Sequence, residues 1–349
     1  MAVMETTVRP FGEFDEANAL WPRGDRPEAI RAAAERFRAR FKEQGEVISV
    51  RTVDLVAAGY PTQFAFGGAA RGLNPFCNIT NRLIVIRYED FDGNERTLAW
   101  EPTVPEGSQE APFYEQLLER YGEWLSNNVF ATYYNTIDEA LAKCGVTPAD
   151  IDFIAFDHLH VQDPRMMLGT DTQPAYYPNA KMLAQRTEVD TFKSLHPTQW
   201  AWYVDGGMDG IPDDRVLLLD GDVEIGRGIA FVHTPGHTDG NMSLCINTPD
   251  GIWVSSENGV AADNWHPQLS KIPGVRKWAE FFNRDVVMNS NTLEDSLDQY
   301  DSMVKEHALA DPHPRDPRWK QVFPSSELGR FRRQWPVVPT HFFGGINYG

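Results

Sequence analysis

The sequence predicts an α/β fold, and three observations favour this class. Short runs rich in β-branched and aromatic residues alternate with amphipathic, capped helices along the chain. A His-x-His run, His158-Leu159-His160, follows directly after a buried apolar strand. A second histidine motif, His233-Thr234-Pro235-Gly236-His237, lies between two further strands. Because ligands bind at the carboxyl ends of strands in such sheets, both motifs are candidates for one site.

Composition and charge restrict the class of protein. The 349 residues are 42% hydrophobic and 23% charged, as in an ordinary globular protein. A formal charge of −18 disfavours nucleic acid or an anionic membrane as a partner, because phosphate binding needs a basic surface. No run approaches the roughly 18 apolar residues of a membrane span. The first residues lack a targeting pattern, and the three cysteines lack disulfide or metal spacing, so we expect a cytoplasmic protein.

Residues 1–45 are interpreted as an N-terminal extension that carries one amphipathic helix. Ile30, Ala34, Phe37 and Phe41 recur at helical spacing within Arg26–Lys42. The helix is expected to dock on the rest of the chain, with a partner-binding helix as the alternative. Strand-like runs follow, and Asp92-Gly93-Asn94 predicts a hairpin between the last two. These runs are Val47–Val53, Thr62–Phe66, Arg82–Tyr88 and Arg96–Trp100.

The middle of the chain is predicted to lead into the first histidine motif. Glu101–Asn128 is rich in Pro and Glu and then helical, and it is interpreted as an insertion over the site. Thr136-Ile137-Asp138-Glu139 forms a capping box for a helix that ends at Gly145. Thr147–Asp150 repeats the capping pattern, with proline at the first helical position. The buried strand Ile151–Phe156 then leads into His158.

The second half of the chain is predicted to return to strands before a long helix. Thr292–Asp295 is interpreted as the cap of that helix, and Val322-Phe323 as a last short strand. Residues 331–349 form an aromatic, glycine-rich tail without clear regular structure. The strands between the first motif and the helix are Val216–Leu219, Gly228–Val232, Ser243–Asn247 and Ile252–Ser255.

The histidines carry the predicted chemistry. His158 and His160 project from the same side of an extended backbone, because side chains alternate at a period of two residues. They can share one cation, and His237 could complete a three-histidine site. Three imidazoles and one open position are typical of catalytic zinc.

The chain resembles the metallo-β-lactamase-fold hydrolases over residues 47–328. The resemblance is carried by His158-Leu159-His160 after its strand and by His233-Thr234-Pro235-Gly236-His237-Thr238. It implies an αββα sandwich, in which two mixed β-sheets are flanked by helices, for a domain over residues 46–330. It also implies that His158, His160 and His237 are metal ligands, while Gly236 permits the turn that aims His237 inward.

The sequence departs from the family pattern at the second metal position. An Asp-His pair is replaced by Gln162-Asp163, so Asp163 could serve as ligand or base only if the loop shifts. Glu257, with Asn258 beside it, stands where the bridging carboxylate is expected, and both are candidate metal ligands. Ser326 stands near the place of the last histidine, and His341 is the later histidine that could replace it.

The resemblance implies a metal-dependent hydrolase of a small ester, lactone, amide or activated C–X compound. One zinc ion is expected, with two ions or iron as alternatives. A metal ion would activate water, and Asp163 or Glu257 could accept its proton. The first alternative function is a mononuclear iron oxygenase, like the sulfur dioxygenases of the superfamily, with His158, His237 and Glu257 as ligands. The second alternative is a binding or structural relative without catalysis.

Further expectations concern the remaining residues and partners. Asp157 is expected to point away from the metal and brace the loop or a histidine. His233 is expected to be structural. A small-molecule substrate is the expected partner, and a homo-oligomer is possible. The histidines interpreted as surface residues are His196, His266, His307 and His313.

Overall fold

Two mixed β-sheets form the centre of the protein. The structure is a computed structural model, and it describes residues 8–108, 110–122, 131–290, 296–330 and 337–349. The strands are β1 (Arg9–Pro10), β2 (Ser49–Pro61), β3 (Phe76–Glu89), β4 (Glu95–Trp100), β5 (Ala131–Tyr133), β6 (Phe153–Ala155), β7 (Lys181–Gln185), β8 (Val216–Leu219), β9 (Val223–Gly226), β10 (Ile229–His233), β11 (Met242–Thr248), β12 (Gly251–Ser256), β13 (Val322–Pro324) and β14 (Ser326–Leu328).

Each sheet combines antiparallel and parallel pairs. The smaller sheet has the order β1-β9-β10-β11-β12-β13, and only its last pair, β12 with β13, is parallel. The larger sheet has the order β5-β2-β3-β4-β6-β7-β8, with β14 also paired to β3. Its half from β4 to β8 is parallel. The carboxyl end of β6 therefore lies inside a parallel region, where α/β proteins place their sites.

Eleven helices in the described residues flank the two sheets. They are α1 (Asp15–Ala19), α2 (Arg26–Glu43), α3 (Thr62–Ala65), α4 (Pro105–Ser108), α5 (Pro112–Tyr121), α6 (Ile137–Cys144), α7 (Pro164–Leu168), α8 (Arg186–Lys193), α9 (Ala262–Trp265), α10 (Val275–Phe282) and α11 (Leu297–Leu309). Among the described residues, no helix is long and apolar enough to cross a bilayer.

Four apolar clusters hold the described structure together, and three of them show how the layers pack. Between the sheets, Trp100 stacks on Phe231 with ring centroids 5.7 Å apart. On the outer face of the smaller sheet, α2 and α11 bury Phe37 and Met303 in one cluster. On the outer face of the larger sheet, α6 contributes Leu141 to another. The order helix, sheet, sheet, helix follows from this burial pattern.

The local sequence patterns predict most elements. The Thr136 capping box is present, and Gly145 ends α6 with a left-handed φ of 76°. The strand predicted over Thr62–Phe66 is wrong, because α3 occupies Thr62–Ala65. Strand β2 ends at Pro61, which has no N–H to donate to a neighbouring strand. The ring of Phe64 packs instead against Trp202 and Tyr60, so tertiary contacts override the strand-forming residues.

The long helix begins later than its sequence suggests. Thr292–Asp295 lies outside the described residues, and α11 is capped by Ser296, whose side chain accepts a hydrogen bond from the Gln299 amide. The insertion predicted over Glu101–Asn128 contributes α5, although residues 123–128 also lie outside the described part.

Both chain ends of the described structure join the central domain. Helix α2 packs on the smaller sheet, as its amphipathic pattern indicates. The tail buries Phe343 and Ile346 between the sheets, and Tyr348 pairs with Val50 through two backbone hydrogen bonds of 2.9 Å. The boundaries at residues 45 and 330 stay predictions, because the core includes residues from both sides.

Candidate metal centre

The first two histidines lie on a sharp turn after β6. The Met242 amide donates to the Asp157 carbonyl at 2.8 Å, which fixes the start of this turn against β11. Val161 then adopts a φ of 54°, a left-handed conformation that is rare for a β-branched residue. Its amide donates to the Trp202 carbonyl at 2.7 Å. The surrounding structure thus holds a strained turn that carries His158 and His160.

The third histidine comes from the loop between β10 and β11. Gly236 precedes it with a φ of 128°, in a conformation that favours glycine. A Cβ atom at this position would lie 2.2 Å from the Gln299 amide nitrogen, at the start of α11. Glycine therefore allows the loop to pack against α11 and to present His237, as the sequence predicts.

The three histidines form one buried cluster. A ring nitrogen from each of His158, His160 and His237 lies within 4.8 Å of the other two. Their ring centroids are 4.5, 4.6 and 5.1 Å apart, and the residues are 4–5% exposed. This spacing allows one cation to contact all three rings.

Each ring has one nitrogen already held by an acceptor. Nδ1 of His158 donates to Asp157 Oδ1 at 2.6 Å, and Nε2 of His160 donates to Gln199 Oε1 at 2.7 Å. Nδ1 of His237 donates to the Asn289 carbonyl at 3.2 Å. These acceptors require the hydrogen on the bonded nitrogen, so in the neutral form of each ring the opposite nitrogen carries the lone pair. This is the arrangement of metal-binding histidines, and the residues present fit a zinc ion.

The electrostatics of the cluster favour two neutral rings. Burial lowers the pKa of His160 well below its ordinary value, and His158 and His237 lower it further. Burial, with His158, lowers the pKa of His237 to about 3. Burial acts in the same direction on His158, but Asp157 outweighs it and raises the pKa of His158 to about 9. A metal ion at this position would therefore displace a proton from His158.

Asp157 connects the cluster to both sheets. Its Oδ2 accepts a hydrogen bond from Ser325 Oγ at 2.7 Å, between β13 and β14. Its amide donates to Glu101 Oε1, also at 2.7 Å, at the end of β4. Asp157 thus braces His158, as the sequence predicts, but it lines the cavity and lies close to His158 and Glu257, so it does not point away from the site.

Glu188 ties the two histidine loops together. This buried carboxylate on α8 accepts hydrogen bonds from the Leu159 amide and from Thr238 Oγ1, both at 2.7 Å. It also accepts from the Tyr203 hydroxyl at 2.7 Å. The side chain of Glu188 therefore holds both the loop of His158 and His160 and the loop of His237.

Glu257 lies in the same cavity as the histidines. Its carboxylate, His158 and Asp157 form a second group with ligand atoms within 4.8 Å of one another. Burial, with the neighbouring Asp157, raises the pKa of Glu257 to about 7, although His158 and a hydrogen bond to Ser326 oppose the rise. Glu257 is therefore placed either to handle a proton or to contact a metal ion.

Asp163 does not lie in this site, which corrects its prediction as ligand and base. Its carboxylate accepts from Arg165 Nε and Nη2, both at 2.8 Å, and it caps α7 by accepting from the Arg165 amide. It faces a separate surface groove with Glu110. Because Arg165 binds this carboxylate with two hydrogen bonds, Asp163 does not turn toward the histidines. Gln162 lines the cavity instead.

Asn258 and His341 are also placed away from the cluster. Asn258 is fully buried, and its Nδ2 donates to Glu306 Oε1 at 2.6 Å and to the Thr234 carbonyl at 3.3 Å. His341 stacks on Trp319 with centroids 5.1 Å apart. The tail places that ring beside the inter-sheet core, so the prediction that either residue contacts the metal is not supported by its position.

Two histidines interpreted as surface residues are buried. His266 is 9% exposed and accepts a hydrogen bond from the Lys320 amide at 2.8 Å, and His313 is 6% exposed. His196 is exposed, as predicted, and His307 is half-buried. The polar sequence around His266 and His313 does not indicate that they pack against Trp319 and Trp253, respectively.

Sequence reasoning did not identify Glu101, Gln199 or Glu188. Glu101 directly follows β4, and its position at the end of a parallel strand was a usable indication. Gln199 donates from Nε2 to the His237 carbonyl at 3.2 Å while its oxygen holds His160. Its role depends on contacts 38 and 39 residues distant, which no local pattern reveals.

Comparisons with known proteins show partial sequence similarity and a shared fold. No protein-family model matches the chain. Over 117 residues, 34% of this chain, it is 30% identical to an N-acyl homoserine lactonase of Bacillus thuringiensis and 28% identical to one of a Bacillus species. The chain spans about two fifths (41%) of the length of these curated relatives.

A solved structure extends the likeness to most of the chain. AidC, a dizinc quorum-quenching lactonase in complex with the product N-hexanoyl-L-homoserine, superposes with a TM-score of 0.51 at 11% identity. The superposition covers 86% of this chain and 97% of that protein. At this identity the likeness shows the fold alone. The predicted architecture is confirmed, and the chain has the αββα sandwich of the metallo-β-lactamase fold.

Proposed function

We propose that this protein is a metal-dependent hydrolase of a small ester, with lactones as the first class to test. The observation that carries the proposal is the cluster of His158, His160 and His237, each with its second ring nitrogen held by an acceptor. The lactonases that share sequence or fold with the chain support it.

One zinc ion is the proposed cofactor, held by the three histidines. When bound, zinc acidifies water and polarises a carbonyl group. At the second metal position of the family pattern, Gln162 donates to Thr103 Oγ1 at 3.0 Å and Asp163 pairs with Arg165, so neither is available as a ligand. We therefore propose a single metal ion.

The protein's own residues prepare this site for hydrolysis. Asp157, Gln199 and the Asn289 carbonyl fix the orientation of the three rings. Glu257 is the proposed general base, because its carboxylate lies in the cavity next to His158. It would take the proton of the attacking water and return it to the leaving alcohol.

The cavity suits a small and partly apolar substrate. It has a volume of about 160 Å³ and lies between the histidines and α5. Leu117, Leu118, Phe76 and Trp202 supply apolar surface, which would exclude water from the reacting group.

The alternative functions are less well supported by the geometry. A 2-His-1-carboxylate iron site has two histidine ligands. Here a ring nitrogen of a third histidine, His160, lies in the same cluster as those of His158 and His237. A relative without catalysis would not need the carboxyl group of Glu257 in the cavity or an acceptor for every ring.

The test is hydrolysis by the zinc-loaded protein of a panel of lactones, simple esters and thioesters. N-hexanoyl homoserine lactone belongs in the panel. We expect hydrolysis of at least one lactone or ester, its loss on chelation and its return with zinc. Oxygen consumption with iron serves as the control for the oxygenase alternative. Zinc-loaded protein without activity on any ester or lactone would contradict the proposal.

A further inference from the structure

Of the four residue types Asp, Glu, Lys and Arg, the cavity lining contains only the two acidic ones. The acidic residues are Glu101, Asp157 and Glu257, and the described lining contains no lysine or arginine. A substrate with a carboxylate or phosphate would therefore find no cationic partner among these residues. Asp157 is occupied by His158 and Ser325, which leaves the carboxyl groups of Glu101 and Glu257 to face a ligand.

Glu101 is held toward the cavity by its backbone. It adopts a φ of 56°, a left-handed conformation that is uncommon outside glycine, at the end of β4. Its Oε1 accepts from the Asp157 amide at 2.7 Å, and the residue is 2% exposed. A strained backbone beside a cavity is typical of a residue fixed for a ligand.

Gln162 provides an independent indication of a ligand. It is 5% exposed and lines the cavity, and its Nε2 donates to Thr103 Oγ1 at 3.0 Å. Its Oε1 is buried without a hydrogen-bond partner in the part of the chain that the structure describes. A buried acceptor of this kind is costly to leave unpaired, so a ligand with a hydrogen-bond donor would complete it.

Much of the remaining lining of the cavity is apolar. Phe76, Ile79, Leu117 and Leu118 contribute to it, as does Trp202, whose ring centroid lies 6.1 Å from that of His160. A ligand that matches this lining carries both a hydrogen-bond donor and a hydrocarbon or aromatic group.

We propose that the substrate carries a protonated amine close to its scissile carbonyl, and that Gln162 and Glu101 bind this amine. The substrate class is then an amino ester or amino lactone with an apolar group. An ammonium group offers several donors, which suits the unpaired amide oxygen of Gln162 and the carboxyl group of Glu101. This inference rests on the proposed hydrolase function and narrows its substrate.

A matched pair of esters tests the proposal with the zinc-loaded full chain. Ethyl 3-amino-3-phenylpropanoate and ethyl 3-phenylpropanoate share the ester and the phenyl group and differ in the amine. We expect kcat/KM for the amino ester to be at least about tenfold higher, as for a charge-assisted hydrogen bond. Equal values for the two esters would contradict the proposal.

Variants identify the residues responsible. Gln162→Leu and Glu101→Gln should reduce the preference for the amino ester toward one. Glu101→Gln keeps an oxygen acceptor for the Asp157 amide and so guards against a folding defect. Gln173→Leu, at an exposed position outside the cavity, is the matched control and should keep the preference. A preference that survives both cavity substitutions would contradict the role of these residues.

A binding measurement separates this inference from the hydrolase function. 2-Phenylethylamine should raise the thermal midpoint of the wild type more than 2-phenylethanol does, and Gln162→Leu should remove the difference. Hydrolysis of both esters at equal rates, with no extra stabilisation by the amine, would overturn the inference alone. Hydrolysis of neither ester, with stabilisation by the amine, would support the inference and count against the hydrolase function.

Discussion

Asp157 Oδ1 accepts a hydrogen bond from His158 Nδ1 at 2.6 Å, and its other oxygen accepts from Ser325 at 2.7 Å. One carboxylate thus joins a candidate metal ligand to the strand region that closes the smaller sheet. A carboxylate in this position orients the imidazole and raises its basicity toward a metal ion.

Asp157→Asn should weaken metal binding while retaining the fold. The amide oxygen can still accept from His158, but the negative charge is lost. We expect zinc affinity to fall by about 10- to 100-fold, measured by competition with a chelator of known affinity. Unchanged affinity would show that Asp157 only fixes the loop.

Asp163→Asn should leave zinc affinity and hydrolysis close to those of the wild type. The structure pairs Asp163 with Arg165 outside the cavity, so its charge does not act on the cluster. The same chelator titration and an ester assay check this, and the variant is a matched control for Asp157→Asn. A large loss of metal would return Asp163 to the site.

Glu257→Gln should impair hydrolysis without removing the metal. The amide cannot accept the proton of water, and a general base typically contributes about 100-fold or more to the rate. We expect a loss of that size in kcat with zinc content unchanged. Loss of zinc together with activity would make Glu257 a metal ligand rather than a base.

The stability of the protein should fall in mild acid because of His266. Burial, with nearby His307 and Lys320, lowers the pKa of His266 to about 3. The unfolded chain takes up this proton below pH 6.5, whereas the folded protein does not do so until about pH 3. The free energy of unfolding should therefore decrease as pH falls from about 6.5 to 3, by up to about 1.4 kcal/mol per pH unit.

His266→Gln isolates this contribution. Its amide oxygen can accept from the Lys320 amide, as Nε2 does in the wild type, but it does not titrate. Denaturant unfolding between pH 4 and pH 8 should show a flatter pH dependence for the variant. An identical slope for both proteins would contradict the assignment.

The sequence could predict the parts of the site that lie in local motifs. The His-x-His spacing after a strand indicates that His158 and His160 share a site, although the structure places them on a turn and not on an extended strand. Gly236 indicates the turn before His237. Glu257 follows a predictable strand and does reach the cavity. These residues depend on spacing within a few positions of a strand end, which the sequence records directly.

Most of the remaining parts depend on contacts between distant segments. His341 depends on where the tail packs, and Glu101 enters the site through a neighbouring strand. Thr62–Phe66 has strand-forming residues, but Pro61 and the aromatic packing of Phe64 favour a short helix. Asp163 is different, because its partner Arg165 is only two residues away and local contact alone removes its carboxylate from the site.

The most direct test of the account is the metal content of the purified protein, measured by ICP-MS for the wild type and for His237→Ala. The account predicts about one zinc ion per wild-type chain, as expected for a three-histidine catalytic site, and a large loss of zinc in the variant. Wild-type protein that binds no metal after incubation with zinc, or a His237→Ala variant that keeps its full zinc content, would contradict the account.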